Sequence, residues 1–218
     1  MVEYSKNVPG GPSQPPVKLS KVTLTKQAPA VSLTKQGSAS GTMRVNLNWA
    51  SGASASGWRS KMGGKSAIDL DLGSLYELTD GTKGAIQAVG KLFGHLDQPP
   101  YIMLDGDDRS GDTEGGENLL INLAHIAEIR RVLVFAFIYE GAPSWDKAQG
   151  VVTLHPNGGP EVEVKVDEKA GGARLCAIAL LQNSGNDLTV QREVRYVANH
   201  QAMDQAYGWG MRWAASSK

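Results

Sequence analysis

Only one cysteine, Cys176, occurs in the 218 residues. That excludes an internal disulfide framework and agrees with a reducing compartment. Cys176 lies in the apolar stretch RLCAIALLQ, where a lone thiol reads as a small buried hydrophobe rather than a nucleophile. No apolar run approaches the roughly 18 residues that span a bilayer, and the N-terminal MVEYSKNVPGGPSQPP has no signal-peptide core. A soluble, cytoplasmic protein is expected, with no membrane span. Charge of one sign is not in excess either, since Lys+Arg and Asp+Glu both number 22. No global field therefore draws the chain to nucleic acid, and peripheral membrane association is left to local patches. His95, His125, His155 and His200 stand singly, with no Cys or His at metal-ligand spacing. A nucleophile elbow is missing, and GGKS at 63–66 lacks the earlier glycine of a phosphate loop.

Long helical patterns are also scarce. LAHIAEIRR, SWDKAQG and NHQAMDQAYG each hold a turn or two, and none is strongly amphipathic. Strand signals fill the rest. MRVNLNW alternates apolar and polar residues, AIDLDL and LYELTDG follow as two strands, and the latter ends in an Asp-Gly turn. RVLVFAFIY is a continuous apolar run, as in a central strand buried on both faces. EVEVKV places Val162, Val164 and Val166 on one face and Glu161, Glu163 and Lys165 on the other. RLCAIALLQ, NSGND and LTVQREVRYV make a hairpin. Many short strands with glycine-rich turns predict an all-β protein, a β-sandwich of two mainly antiparallel sheets with a few short helical turns. Residues 1–17, polar and rich in Pro and Gly, read as a flexible arm ahead of a domain over 18–218. VTLTKQAPA from Val22 and VSLTKQGSA from Val31 form an internal echo too short to be architectural. One copy is expected in a sheet, and the other at an edge or in the arm.

The chain concentrates its acid in one place. DGDDRSGDTEGGEN, residues 105–118, carries Asp105, Asp107, Asp108, Asp112, Glu114 and Glu117 among four glycines. Packed like charges raise each other's pKa, so a compensating group is expected. Calcium takes six to eight oxygens from carboxylates, carbonyls and water, and glycines let such a loop converge on one point. The register is not that of an EF-hand: counted from Asp105, the sixth position is Ser110 and the twelfth Gly116. Further ligands should come from elsewhere, and Asp69 and Asp71 in AIDLDLG share one strand face. Either they sit on a solvated face, or burial makes them costly unless a cation compensates.

Together, IDLDLGSLYEL and LDGDDRSGDTEGGENLLINL resemble the tellurium-resistance, TerD-type stress-response family, over about residues 31–213. FAFIYEGAPSW, REVRYV and AYGWGMRW look most like its TerA branch. The resemblance implies a calcium-binding sandwich in a cytoplasmic stress-response protein. By position it implies metal ligation by Asp69, Asp71, Asp107, Asp108, Asp112, Glu114 and Glu117. Two positions depart from the family pattern. Gly116 stands where an acid is usual, and Asn118 replaces a glutamate while keeping a neutral oxygen. Lower affinity than in fully acidic relatives is expected, and the number of ions, one or two, stays open. The implied partners are other proteins of a stress-response assembly, including family paralogues.

Two rival readings remain. DLDLG matches the Asp-x-Asp start of haloacid-dehalogenase phosphatases, which would make Asp69 and Asp71 a metal-dependent hydrolytic pair. That chemistry needs a parallel sheet with alternating helices, whereas a hairpin follows Asp71. Alternatively, calcium is purely structural and YGWGMRW or the Gly/Ser-rich loop 51–66 meets a partner. The default for Trp49, Trp58, Trp145 and Trp209 is the core, with the tail as a terminal strand.

Overall fold

The computed structural model of the chain describes residues 20–50, 68–105, 116–141, 144–185 and 187–213. The expected arm and the 51–66 loop, with Trp58, fall outside the described residues. Strands dominate. They begin with β1 (Lys21–Thr23), β2 (Ala30–Ser32), β3 (Thr42–Asn48), β4 (Asp69–Leu78), β5 (Lys83–Gln87) and β6 (Gly94–His95). Then come β7 (Ile102–Leu104), β8 (Glu117–Asn122), β9 (Ile129–Glu140), β10 (Gly150–His155) and β11 (Glu161–Val166). The hairpin β12 (Leu175–Asn183) and β13 (Leu188–Val197) completes the set. Among the described residues, helix is confined to α1 (Trp145–Ala148), α2 (His200–Tyr207) and short 3-10 turns.

One sheet has the order β1-β11-β10-β3-β8-β7-β6 and the other β2-β13-β12-β9-β4-β5. Among the described residues, every pairing is antiparallel except β1 with β11. Between the sheets, Leu70 and Leu72 of β4 meet residues such as Val45, Leu47, Leu119 and Ile121, all essentially fully buried. Each such side chain contributes about 1.5–3 kcal/mol relative to exposure. A second core lies on the outer face of the β9 sheet. There Leu75, Leu133, Phe135, Phe137 and Leu175 are covered by Met203 of α2 and by Trp209. That cover explains why RVLVFAFIY has no polar face.

The segment after α2 is an irregular strap, not the expected strand. Gly208 ends the helix in a left-handed conformation, and Trp209 then inserts with no exposed surface. Asp204 holds the strap by accepting from Gly210 N and Met211 N at 2.8 Å and from Trp213 Nε1 at 3.0 Å. Arg131 lies 3.8 Å over the Trp209 ring, and the buried Glu77 accepts from its Nε at 2.6 Å. Trp49 and Trp145 are also in the core.

Other expectations change in detail. DLDL and LYEL belong to one continuous ten-residue strand, β4, with Gly73 at its middle. A Cβ at Gly73 would sit 2.5 Å from Phe135 Cζ, so glycine lets that ring cross the strand. The two VxLTKQ copies supply an edge strand to each sheet: β1 joins β11 and β2 joins β13. Glu163 is buried because β1 covers its side of the sheet, where Lys21 and Thr23 reach its carboxylate.

Candidate functional site

The acidic loop is the connection between β7 and β8, whose register runs Ile102↔Ile121 to Leu104↔Leu119. Its two ends are stitched together by Asp105 N donating to Asn118 O at 2.8 Å. Asp107, Asp108, Asp112 and Glu114 lie outside the described residues. At the loop's exit Gly116 has φ +60°, and a Cβ there would come 2.0 Å from Leu47 O. Side chains are therefore excluded at 116 by the neighbouring strand, which gives a steric reason for losing the acid there.

Strand alternation then separates the next residues. Glu117 shares the inward face of β8 with Leu119 and Ile121, and is 2 % exposed. Its Oε2 crosses to the other sheet and accepts from Leu72 N at 2.5 Å. The Leu72 amide is available because the β5 ladder begins at Gly73. Asn118 faces the opposite side of β8. Its Oδ1 accepts from Arg44 Nη1 at 3.1 Å and from Asn46 Nδ2 at 3.0 Å, so it is not brought to Glu117.

On β4, Leu70 and Leu72 point into the inter-sheet core, which places Asp69 and Asp71 together on the other face. That face is not solvated: Asp69 is 8 % and Asp71 0 % exposed. Asp71 pairs with Phe137 across the ladder and adjoins the amide that Glu117 holds. Three buried carboxylates thus lie along one stretch of β4, Asp69 and Asp71 on its outer face and Glu117 against the Leu72 amide from the inner side. Burying ionised carboxylates costs several kcal/mol each without compensation. Their all-oxygen donor set suits a hard cation such as calcium. Among the described residues alone, no three His, Cys, Asp or Glu side chains group closely enough to hold an ion. A site here needs the loop acids as well.

Sequence reasoning missed Glu140, which the ladder places opposite Asp69 at the end of β9. Only the strand register, with its irregularity between Asp69 and Leu70, reveals it. Asn46, buried beneath the loop exit, was also missed, since an Asn in an alternating strand carries no special signal. No described helix is long and apolar enough to cross a membrane.

No family model matches the chain. It is 47% identical over 203 residues to the Tellurium resistance protein TerA of an Alcaligenes species. The match covers 93% of this chain, which spans 60% of that protein's length. Two solved structures share the architecture. A protein of unknown function superposes with a TM-score of 0.55 at 14% identity, covering 80% of this chain and 99% of its own. A homologue of the telluride resistance protein TerD from Streptomyces coelicolor A3(2) gives 0.54 at 18% identity, covering 75% and 94%. Over the residues it shares with the Alcaligenes protein, the chain belongs to the tellurium-resistance family and has the two-sheet fold of a TerD homologue.

Proposed function

We propose that this chain is a non-catalytic, calcium-dependent binding module of a cytoplasmic stress-response assembly. The observation that carries the reading is the burial of Asp69, Asp71 and Glu117 along one stretch of β4, with Glu117 at the exit of an acid-rich loop. When bound, calcium would supply a divalent charge that offsets the clustered carboxylates. Asp69 and Asp71 contribute from β4, and Glu117 ties that strand to the loop's exit through Leu72 N. Asp105, Asp107, Asp108, Asp112 and Glu114 would complete the oxygen set, and loop ordering would fix a surface for another protein of the assembly, such as a family paralogue. Lacking an acid at 116, and with Asn118 turned to Arg44 and Asn46, the site should bind more weakly than a fully acidic relative's.

The Asp-x-Asp phosphatase reading finds no matching frame. β4 returns antiparallel into β5 through the turn at Asp80 and Gly81, rather than through a helix to a parallel strand. Thermal unfolding in calcium against chelator tests the proposal. At 100-fold excess over the dissociation constant, a single site adds about 2.7 kcal/mol of stability. Superimposed curves, with no heat of binding by calorimetry, would overturn the ion site. Asp71→Asn and Asp107→Asn should each weaken binding.

A further inference from the structure

β5 is the last strand of its sheet, and its inner side is satisfied by β4. Leu78 N donates to Thr82 O at 2.8 Å, which sets the bonding phase of that hairpin. In an antiparallel ladder the phase alternates, so Gly84 and Ile86 bond to β4 while Lys83, Ala85 and Gln87 turn their main chain outward. Gln87 confirms the phase: its N–H and C=O both pair outward, with Leu92, at 2.9 and 3.1 Å. The outward N–H and C=O of Lys83 and Ala85 make no backbone hydrogen bond among the described residues.

Beside this open edge lies a cavity of about 560 Å³ between β5, the turn at 89–92 and the strap. Val89, Leu92, Met211 and Trp213 give it apolar walls, and Leu92 is 46% exposed. Two cations, Lys83 and Arg212, line it and no acid does. Lys83 is engaged by Trp209 O at 2.8 Å and by Glu77 at 4.0 Å, whereas Arg212 has no ion pair among the described residues. Gln87 also lines the cavity. It is 6% exposed, and its Oε1 has no hydrogen-bond partner among the described residues.

We propose that the β5 edge is a strand-addition site for an extended peptide that carries apolar and acidic residues at alternate positions, on one face. The added backbone would exchange hydrogen bonds with Lys83 and Ala85, in the manner of peptides that extend a sheet edge. A peptide N–H or hydroxyl would satisfy Gln87 Oε1. Apolar side chains would enter the cavity against Met211 and Trp213, and a carboxylate would meet Arg212. The Gln87–Leu92 pair ends the free edge, limiting the added strand to about four residues. The site stands apart from the ion-binding reading and does not depend on it.

The probe is acetyl-Val-Thr-Glu-Thr-Val-amide, which sets Val, Glu and Val on one face, added to the isotopically labelled chain and followed by amide NMR shifts and hydrogen exchange. Lys83 and Ala85 amides are expected to shift and gain protection, with half-saturation below about 1 mM. Arg212→Ala should weaken binding about threefold, the range of an exposed ion pair. Ala85→Pro should abolish it, because proline is tolerated on an edge strand whose N–H faces outward yet cannot donate. A peptide N-methylated at alternate amides gives the same test on the unaltered chain. Equal binding by the N-methylated peptide or by its lysine analogue overturns the proposal, as does absence of protection at Lys83 and Ala85. The same shifts with glutarate alone would make this a small-acid pocket. Their appearance on concentrating the peptide-free chain would make the occupant a second copy. Either result refutes the peptide assignment.

Discussion

Restoring the missing acid at position 116 is the substitution that comparison with acidic relatives invites, and the structure predicts that it fails. Gly116 has φ +60°, and the first side-chain atom would lie 2.0 Å from Leu47 O. A residue with a Cβ in the left-handed region costs about 1–2 kcal/mol. Leu47 must also retreat, and it is the ladder partner of Glu117, so about one net backbone hydrogen bond, ~1 kcal/mol, is disturbed. The sum is about 2–3 kcal/mol, or roughly 4–12 °C in melting temperature for a chain of this size. Gly116→Asp and Gly116→Ala should therefore be destabilised nearly equally in urea titrations without calcium, because Cβ rather than the carboxylate does the damage. Displacing Glu117 should also weaken calcium binding in Gly116→Asp. A stable Gly116→Asp that binds calcium more tightly would refute the steric account.

Two further perturbations test the second core. Glu77 is pushed up by burial but brought below the usual carboxylate range by its bond to Arg131 and by the charges of Arg131, Lys83 and Arg130. Its contribution is present above about pH 4.5 and is lost as pH falls through the lowered value. Glu77→Gln should cost about 2–3 kcal/mol by urea midpoint, below the range for fully buried pairs because Arg130 is solvent-facing; a cost under about 0.5 kcal/mol would contradict the geometry. His200 packs 5.4 and 5.5 Å from the Phe135 and Phe137 rings and 5.1 Å from Trp213. Burial holds its imidazole below 6.5, so the unfolded chain takes the proton first. Stability should fall as pH drops below 6.5 and level off beneath the folded value. His200→Leu should flatten this slope, and an unchanged slope would mean that the packing does not exclude the charge.

The strands were legible because their periods match the layers they occupy. EVEVKV and MRVNLNW gave β11 and β3, and the apolar run gave β9. What covers an outward face was not legible. Glu163 is buried by a strand from about 140 residues earlier, and the strap that hides Trp209 looks in sequence like one more strand. At the ion site, composition pointed to the loop and period two to the Asp69/Asp71 face. Glu140 required the ladder register, and the turning away of Asn118 required knowing that Glu117 points inward. Gly116 looked like a lost ligand, and only the approach of Leu47 O shows why glycine is needed there.

The duplicated VxLTKQ segment has a consequence for threading. Nearly identical copies occupy the edges of opposite sheets, one parallel to its neighbour and one antiparallel. A chain docked nine residues out of place would therefore present almost the same side chains to either edge. The residues that differ act as addresses. Lys21, which pairs with Glu163, has Ala30 as its counterpart, and Ser32, which donates to Asp187 Oδ1 at 2.5 Å, has Thr23. Correct assignment of the two sheets' edges thus depends on a handful of polar contacts, while the shared hydrophobic pattern is indifferent to which copy arrives first.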